Sequence, residues 1–200
     1  MRSWSHLLPL LLFMAGCQKK HEEVSHRVQA PYVIPSLPDS AFDEVESQFL
    51  GYPCSPEITD DDFRGIVLNG PKRVLFGPDT RDPRFGSFTR MNVCGVCQFD
   101  HDYLGINGRF ETNVTFFAVN TKTHRVHVGR LYAGNHVPPK REPDDPRQNV
   151  VTTKWFNPNL ALISDIPPED GDYLVYATLG DYKSNTVTIQ LRRKPEQDAQ

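Results

Sequence analysis

Near its C-terminus the chain alternates. Val187, Ile189 and Leu191 are apolar, and Thr186, Thr188, Gln190 and Arg192 between and around them are polar. Side chains of a strand point to opposite faces in turn, so this period of two makes one buried face and one wet face, as in antiparallel sheet. A second run, Asp-Tyr-Leu-Val-Tyr-Ala-Thr-Leu-Gly at 172–180, precedes it across the short connection Asp181-Tyr182-Lys183. No helical periodicity competes for this region. The chain is expected to be all-β.

The same period recurs upstream. Ile66–Leu68 and Arg73–Phe76 flank Asn69-Gly70-Pro71, read as a turn or a kinked edge strand. Residues 88–99 are the next strand, with Met91, Val93, Cys97 and Phe99 on one parity. Residues 110–120 are rich in aromatic and β-branched side chains and are expected to form a hairpin with 125–132 across Thr121-Lys122-Thr123. Val150–Phe156 reads as a further strand. In the proline-rich stretch, Ser40 to Leu50 holds Phe42, Val45 and Phe49 at helical spacing, with Ser40 placed to cap a short turn. Of the 17 prolines, 12 fall within 31–56, 138–146 and 158–168, which marks those stretches as loops or straps.

Charge and hydropathy narrow the function. The net charge is −3, with basic and acidic residues interspersed, so the footprint of a nucleic-acid binder is missing. A mean hydropathy of −0.50 and the lack of a second long apolar stretch exclude a membrane span outside the N-terminus.

That N-terminus reads Leu7-Leu8-Pro9-Leu10-Leu11-Leu12-Phe13-Met14-Ala15-Gly16-Cys17, preceded by Arg2. A positive start, an apolar run too short to span a bilayer and small residues before the cut make an export signal. Met14-Ala15-Gly16-Cys17 resembles the lipobox of bacterial lipoproteins. The resemblance implies a signal peptide at 1–16 and lipidation of Cys17 with a diacylglyceryl thioether and an amide-linked acyl chain. Two or more acyl chains anchor a protein stably where one does not. It further implies residence in the cell envelope and contact with membrane lipid through Cys17. Because Gln18 is not aspartate, the outer membrane is expected if the host is Gram-negative. Residues 17–56 are then a flexible, proline-rich tether or strap, 57–193 the folded domain and 194–200 a disordered tail.

A second resemblance concerns that domain. Glu169-Asp170-Gly171-Asp172-Tyr173-Leu174-Val175 is similar to the Asp-x-Gly-x-Tyr-x-Cys run at the E–F corner of immunoglobulin-like domains. It implies a single immunoglobulin-like, or fibronectin-like, antiparallel β-sandwich. It also implies that Tyr173 is the corner tyrosine, its hydroxyl bonded to backbone a few residues upstream. Val175 stands where antibody domains place a cysteine, and Trp155 lies too late to be their strand C tryptophan.

Besides Cys17, the chain has three cysteines: Cys54, Cys94 and Cys97. In an oxidising compartment they allow at most one internal bridge. Cys94 and Cys97 sit three apart on a strand, hence on opposite faces and about 10 Å apart, too far for a disulfide without a bulge at Gly95. Cys97 shares its parity with Met91, Val93 and Phe99 and is expected in the core. Cys94 shares its parity with Arg90, Asn92 and Gln98, which makes it the better partner for Cys54, with Cys97 as the alternative. A Cys54–Cys94 bridge would close a loop worth roughly 3–4 kcal/mol in the chain-entropy model. A redox Cys-x-x-Cys would need a following helix, which is not visible. Haem attachment would need histidine where Gln98 stands.

Other ligand types are scattered. Met91, Cys94, Cys97 and His101 could together supply a soft copper or zinc site. Asp100, Asp102, Gly105 and Glu111 match positions 1, 3, 6 and 12 of an EF-hand loop, but Leu104 and Asn107 break the pattern and helices are lacking. A polar hairpin loop explains that stretch better, and no metal or cofactor is expected. Asp60, Asp61 and Asp62 read as a capped turn. His124 and His127, three apart, face opposite ways and are expected on the exposed hairpin. Neither Gly-x-Ser-x-Gly nor His-Glu-x-x-His occurs, so nucleophilic and zinc-hydrolase catalysis have no foothold.

The expectation is a non-catalytic envelope lipoprotein that acts by binding or assembly, with an envelope protein or a glycan as partner. Tyr176, Tyr182 and the loop 133–149 are its candidate contact points. The alternatives are a metal-handling lipoprotein using Met91–His101, and a protease inhibitor, the latter on fold analogy alone.

Overall fold

The computed structural model describes residues 30–46, 49–83, 86, 88–100, 103, 110–132 and 150–195. Eleven strands occur among them: β1 (Tyr32–Val33), β2 (Glu57–Ile58), β3 (Gly65–Asn69), β4 (Arg73–Phe76), β5 (Cys94–Asp100), β6 (Val114–Asn120), β7 (Val126–Arg130), β8 (Val151–Phe156), β9 (Gly171–Leu179), β10 (Tyr182–Lys183) and β11 (Val187–Arg193). Two single-turn helices, α1 (Phe110–Asn113) and α2 (Leu160–Ile163), and two 3-10 turns, Asp39–Phe42 and Pro78–Thr80, complete them.

The strands make an all-β sandwich. The larger sheet runs β4-β11-β9-β6-β7, with β10 added on β9, and the smaller runs β3-β5-β8. Every pairing is antiparallel except β4 with β11. Their inner faces share one core. Ile66, Leu68, Cys97, Phe99 and Phe156 from the small sheet meet Phe116, Tyr173, Val175, Ile189 and Leu191 from the large one. Phe116 and Phe156 meet edge to face across the layers, with ring centroids 5.8 Å apart. The Phe156 ring lies where a Cβ on Gly95, its cross-strand partner, would come within 2.2 Å, so only glycine fits there.

The C-terminal alternation is realised: Ile189 and Leu191 are buried, and β9 buries Tyr173, Val175, Ala177 and Leu179 in turn. The 120–126 hairpin also forms. The Asn120 side chain accepts hydrogen bonds from the Lys122 and Thr123 amides at 3.0 and 2.9 Å, which builds the tight connection.

Four local readings change. Asn69-Gly70-Pro71 is a switch between sheets: β3 belongs to the small sheet and β4 to the large one. Pro71 has no N–H to extend a ladder, and the Asn69 side chain takes the Gly70 amide at 2.9 Å. The segment from 110 starts with one helical turn, and its strand begins at Val114. The strand expected from 88 begins at Cys94, its earlier part making only isolated bridges at Thr89 and Asn92. His127 is buried, not exposed, because the register sets it opposite Ala118 on the inner face while Val126 and Val128 face out.

The N-terminal strap packs on the small sheet. β1 pairs with β2, and Phe42 and Val45 are buried against Cys54 and Cys94 on the outer side of the small sheet. β5 is therefore buried on both faces, and Cys94, Gln98 and the preceding Asn92 are all buried. Gln98 is held from two sides: its Nε2 donates to the Asp61 and Phe63 carbonyls of one turn, and its Oε1 accepts from Thr153 of β8 at 2.9 Å. The turn at 39–42 follows Pro38 and has no side-chain cap, so Ser40 does not serve as one. Among the described residues no helix is long and apolar enough to cross a membrane.

Candidate functional site

Cys54 and Cys94 form a disulfide, with Cα atoms 5.8 Å apart. It fastens the strap to β5. Cys97 is a free thiol at 0% exposure in the shared core, and burial pushes its pKa up to about 12. This removes two donors from the soft-metal reading: Cys94 sulfur is bonded to sulfur, and Cys97 resists forming the thiolate a metal needs. Met91 is likewise fully buried in the core. Asp100 is engaged by Arg64, Nε to Oδ1 at 2.8 Å. Glu111 lies in α1. Asp102, His101 and Gly105 lie outside the described residues, as do Cys17, Gln18 and the loop 133–149. Among the described residues no group of three or more His, Cys, Asp or Glu side chains could hold a metal ion.

Tyr173 is fully buried on β9, where the corner resemblance places it, but its hydroxyl makes no hydrogen bond among the described residues. The implied upstream backbone bond is not formed. The ring instead packs edge-on against His127 at 6.1 Å, and the His127 Nδ1 lies 3.2 Å from the Asp165 carbonyl. Tyr176, on the outer face of the large sheet, stacks on Phe117 at 4.9 Å, with Lys183 Nζ 4.2 Å above its ring. Val119, Val126, Val128 and Leu174 continue that apolar face, paired through the β7-β6-β9 register. Tyr182 packs on Tyr103 at 4.6 Å.

A cleft of about 690 Å³ lies between the strap and the free edge of β4. Five segments build it. The strap contributes the turn from Asp39 to Asp43. β4 contributes Arg73 and Leu75, which its alternation turns outward. The 3-10 turn at 78–80 ends at Arg81, and the segment entering β5 contributes Arg90 and Asn92. Lys194, just beyond β11, closes one side.

Its charges fall into two groups. Some are consumed internally. The Asp39 carboxylate accepts the Lys72 and Arg73 backbone amides at 2.7 and 3.1 Å, which docks the strap onto β4. Lys194 pairs with Asp79, and its hydrogen bond holds the Asp79 carboxyl below the usual carboxylate range. Arg90 donates to the Asp43 carbonyl. Others are left over. The Arg73 and Arg81 guanidiniums and the Asp43 carboxyl have no hydrogen-bond partner among the described residues. Asp43 is pushed above its ordinary pKa by burial, against which the charge of Arg90 acts in the opposite direction. Asn92 is 1% exposed; its Nδ2 donates to the Phe42 carbonyl at 2.8 Å, while its buried Oδ1 has no donor among the described residues. A buried acceptor without a donor costs about 1–3 kcal/mol.

None of these cleft residues stood out as a site in the sequence. They come from positions 39–43, 73–81, 90–92 and 194, and no spacing rule links them. The only available signal was the density of arginines between 73 and 90. No protein-family description, curated protein or solved structure matches this chain.

Proposed function

We propose that this chain is a lipid-anchored cell-envelope protein whose sandwich, of the immunoglobulin-like class, is a non-catalytic binding or assembly module. The observation that carries the reading is the Cys54–Cys94 disulfide. A stable structural cystine belongs to an exported protein, which is what the segment ending at Cys17 independently implies. The strand order supports the class. A three-strand sheet, β3-β5-β8, faces a larger one, and the chain's first long strand is divided between them, with its second half parallel to the last strand. Immunoglobulin-like sandwiches likewise put the first two strands with a middle one in one sheet and the last two strands in the other. The cleft and the apolar outer face around Tyr176 are its candidate recognition surfaces.

Metabolic labelling with a radioactive fatty acid tests the anchor. The full chain should take up label and sediment with membranes. Cys17→Ser should lose the label and leave the membrane fraction. An intact wild-type chain without label, or equal labelling of Cys17→Ser, overturns the reading.

A further inference from the structure

We infer that β7 is an assembly edge, and that two copies of this chain pair along it, antiparallel, about a two-fold axis at Val128. This names the partner in the assembly half of the reading above and rests on that half alone. The first observation is the direction of the backbone groups. The Leu131 amide donates to the Val114 carbonyl and the Asn120 amide to the Arg125 carbonyl, which in an antiparallel ladder turns residues 125, 127, 129 and 131 toward β6. Val126, Val128 and Arg130 therefore turn their N–H and C=O groups away from the sheet. No hydrogen bond reaches those groups from the described residues. Their side chains are exposed too, Val126 at 51% and Val128 at 53%.

An open strand edge invites pairing, and folds usually blunt it with polar caps, prolines or covering segments. The other edges here are attended to. The Asn185 side chain accepts from the Leu68 N–H at 2.8 Å and donates to the Leu68 C=O at 2.9 Å, which caps the middle of β3. The Asp39 carboxylate takes the Lys72 and Arg73 amides at the start of β4. The strap flanks β8, where Gly51 lies against the Trp155 ring. Among the described residues β7 has no such cap, and Val-His-Val-Gly-Arg holds no proline.

A second β7 suits this edge because the outward groups are centred on one residue. Run antiparallel, Val128 exchanges both hydrogen bonds with Val128 of the second copy, and Val126 exchanges both with its Arg130. Every outward group on the two strands is then paired. The side chains agree with that register. Valine meets valine across the axis, which is a favourable cross-strand pair. The two Arg130 positions stay about 13 Å apart along the strands, so like charges do not oppose one another. Gly129 falls opposite His127, and its missing side chain leaves that inward pair uncrowded. On the outer face the row Val128, Phe117, Tyr176 runs on into the same row of the second copy, which gives the exposed valines apolar neighbours.

The test is sedimentation equilibrium of the purified full-length chain in density-matched detergent micelles. The mass of two chains is expected in the micromolar range. Val128→Pro removes the N–H on the axis, which takes no bond within the fold, so the circular dichroism should be unchanged and the chain monomeric. Val128→Lys and Val128→Glu set like charges directly opposite and should each weaken the dimer at least tenfold, while an equimolar mixture of the two should recover it as a heterodimer. A wild-type chain that is monomeric throughout that range passes the edge to a strand of another protein and overturns the pairing. A dimer that survives Val128→Lys, or a mixture no tighter than either variant alone, overturns it as well. A monomer that is acylated and membrane-bound leaves the module reading standing. An unacylated chain that dimerises keeps the pairing and loses the anchor.

Discussion

Cys97 shows how much one side chain's surroundings can decide. Its thiol is walled off in the shared core, and burial raises its pKa from the ordinary 9.0 to about 12. Iodoacetamide at pH 8 should therefore label it only after denaturation, with mass spectrometry reading the adduct; native labelling as fast as denatured labelling would refute the burial. The sign for stability follows. The unfolded thiol releases its proton near pH 9 while the folded one keeps it, so the contribution is intact below pH 9 and is lost progressively up to about pH 12. Gly95 is the steric counterpart. A methyl group there would meet the Phe156 ring at 2.2 Å, and overpacking of this kind costs about 1–3 kcal/mol. Urea unfolding of Gly95→Ala should show a lower midpoint at an unchanged slope; an unchanged midpoint would mean the ring moves aside freely.

At the scale of elements, the strap is the piece whose behaviour depends most on a single link. It has little regular structure of its own, two residues of β1 and one 3-10 turn. Its attachment comes from Phe42 and Val45, from the Asp39 carboxylate on β4 and from the disulfide, whose two cysteines are 40 residues apart. Cys54→Ser with Cys94→Ser should lower stability by roughly 3–4 kcal/mol. Limited proteolysis should then cut between 30 and 56 before it cuts the sandwich. Simultaneous loss of strap and sandwich would show that the two unfold as one unit. Other joints are made by single asparagines. Asn159 caps α2 through the Ala161 amide at 3.1 Å, takes the Met91 amide at 3.1 Å and donates to Asp82 at 3.1 Å, tying α2 to the approach to β5. Such knots are invisible to periodicity, because their partners lie 68 and 77 residues away.

Across the whole molecule, local period and long-range packing carried different information. Alternation placed Cys97 with Met91, Val93 and Phe99, and that parity also left Cys94 as the partner for Cys54. Both follow from a strand's geometry, which needs no neighbour. The same rule is silent on cover. A two-residue period says that Cys94, Asn92 and Gln98 go together, not what lies over them, and their burial comes from the packing of other segments on that face. His127 was misread for a related reason, since the register of β7 against β6, and not the strand alone, decides which parity points inward.

The chain's own order of residues was sufficient for an all-β body, its principal strands, the 120–126 hairpin and the choice of cystine, since each depends on positions a few residues apart or on strand parity. The division of β3 and β4 between sheets, the covering strap and the cleft beside β4 arose only from tertiary structure. Contacts between segments 30 to 120 residues apart are set by the packing of two layers and a strap, and nothing local in the sequence encodes them.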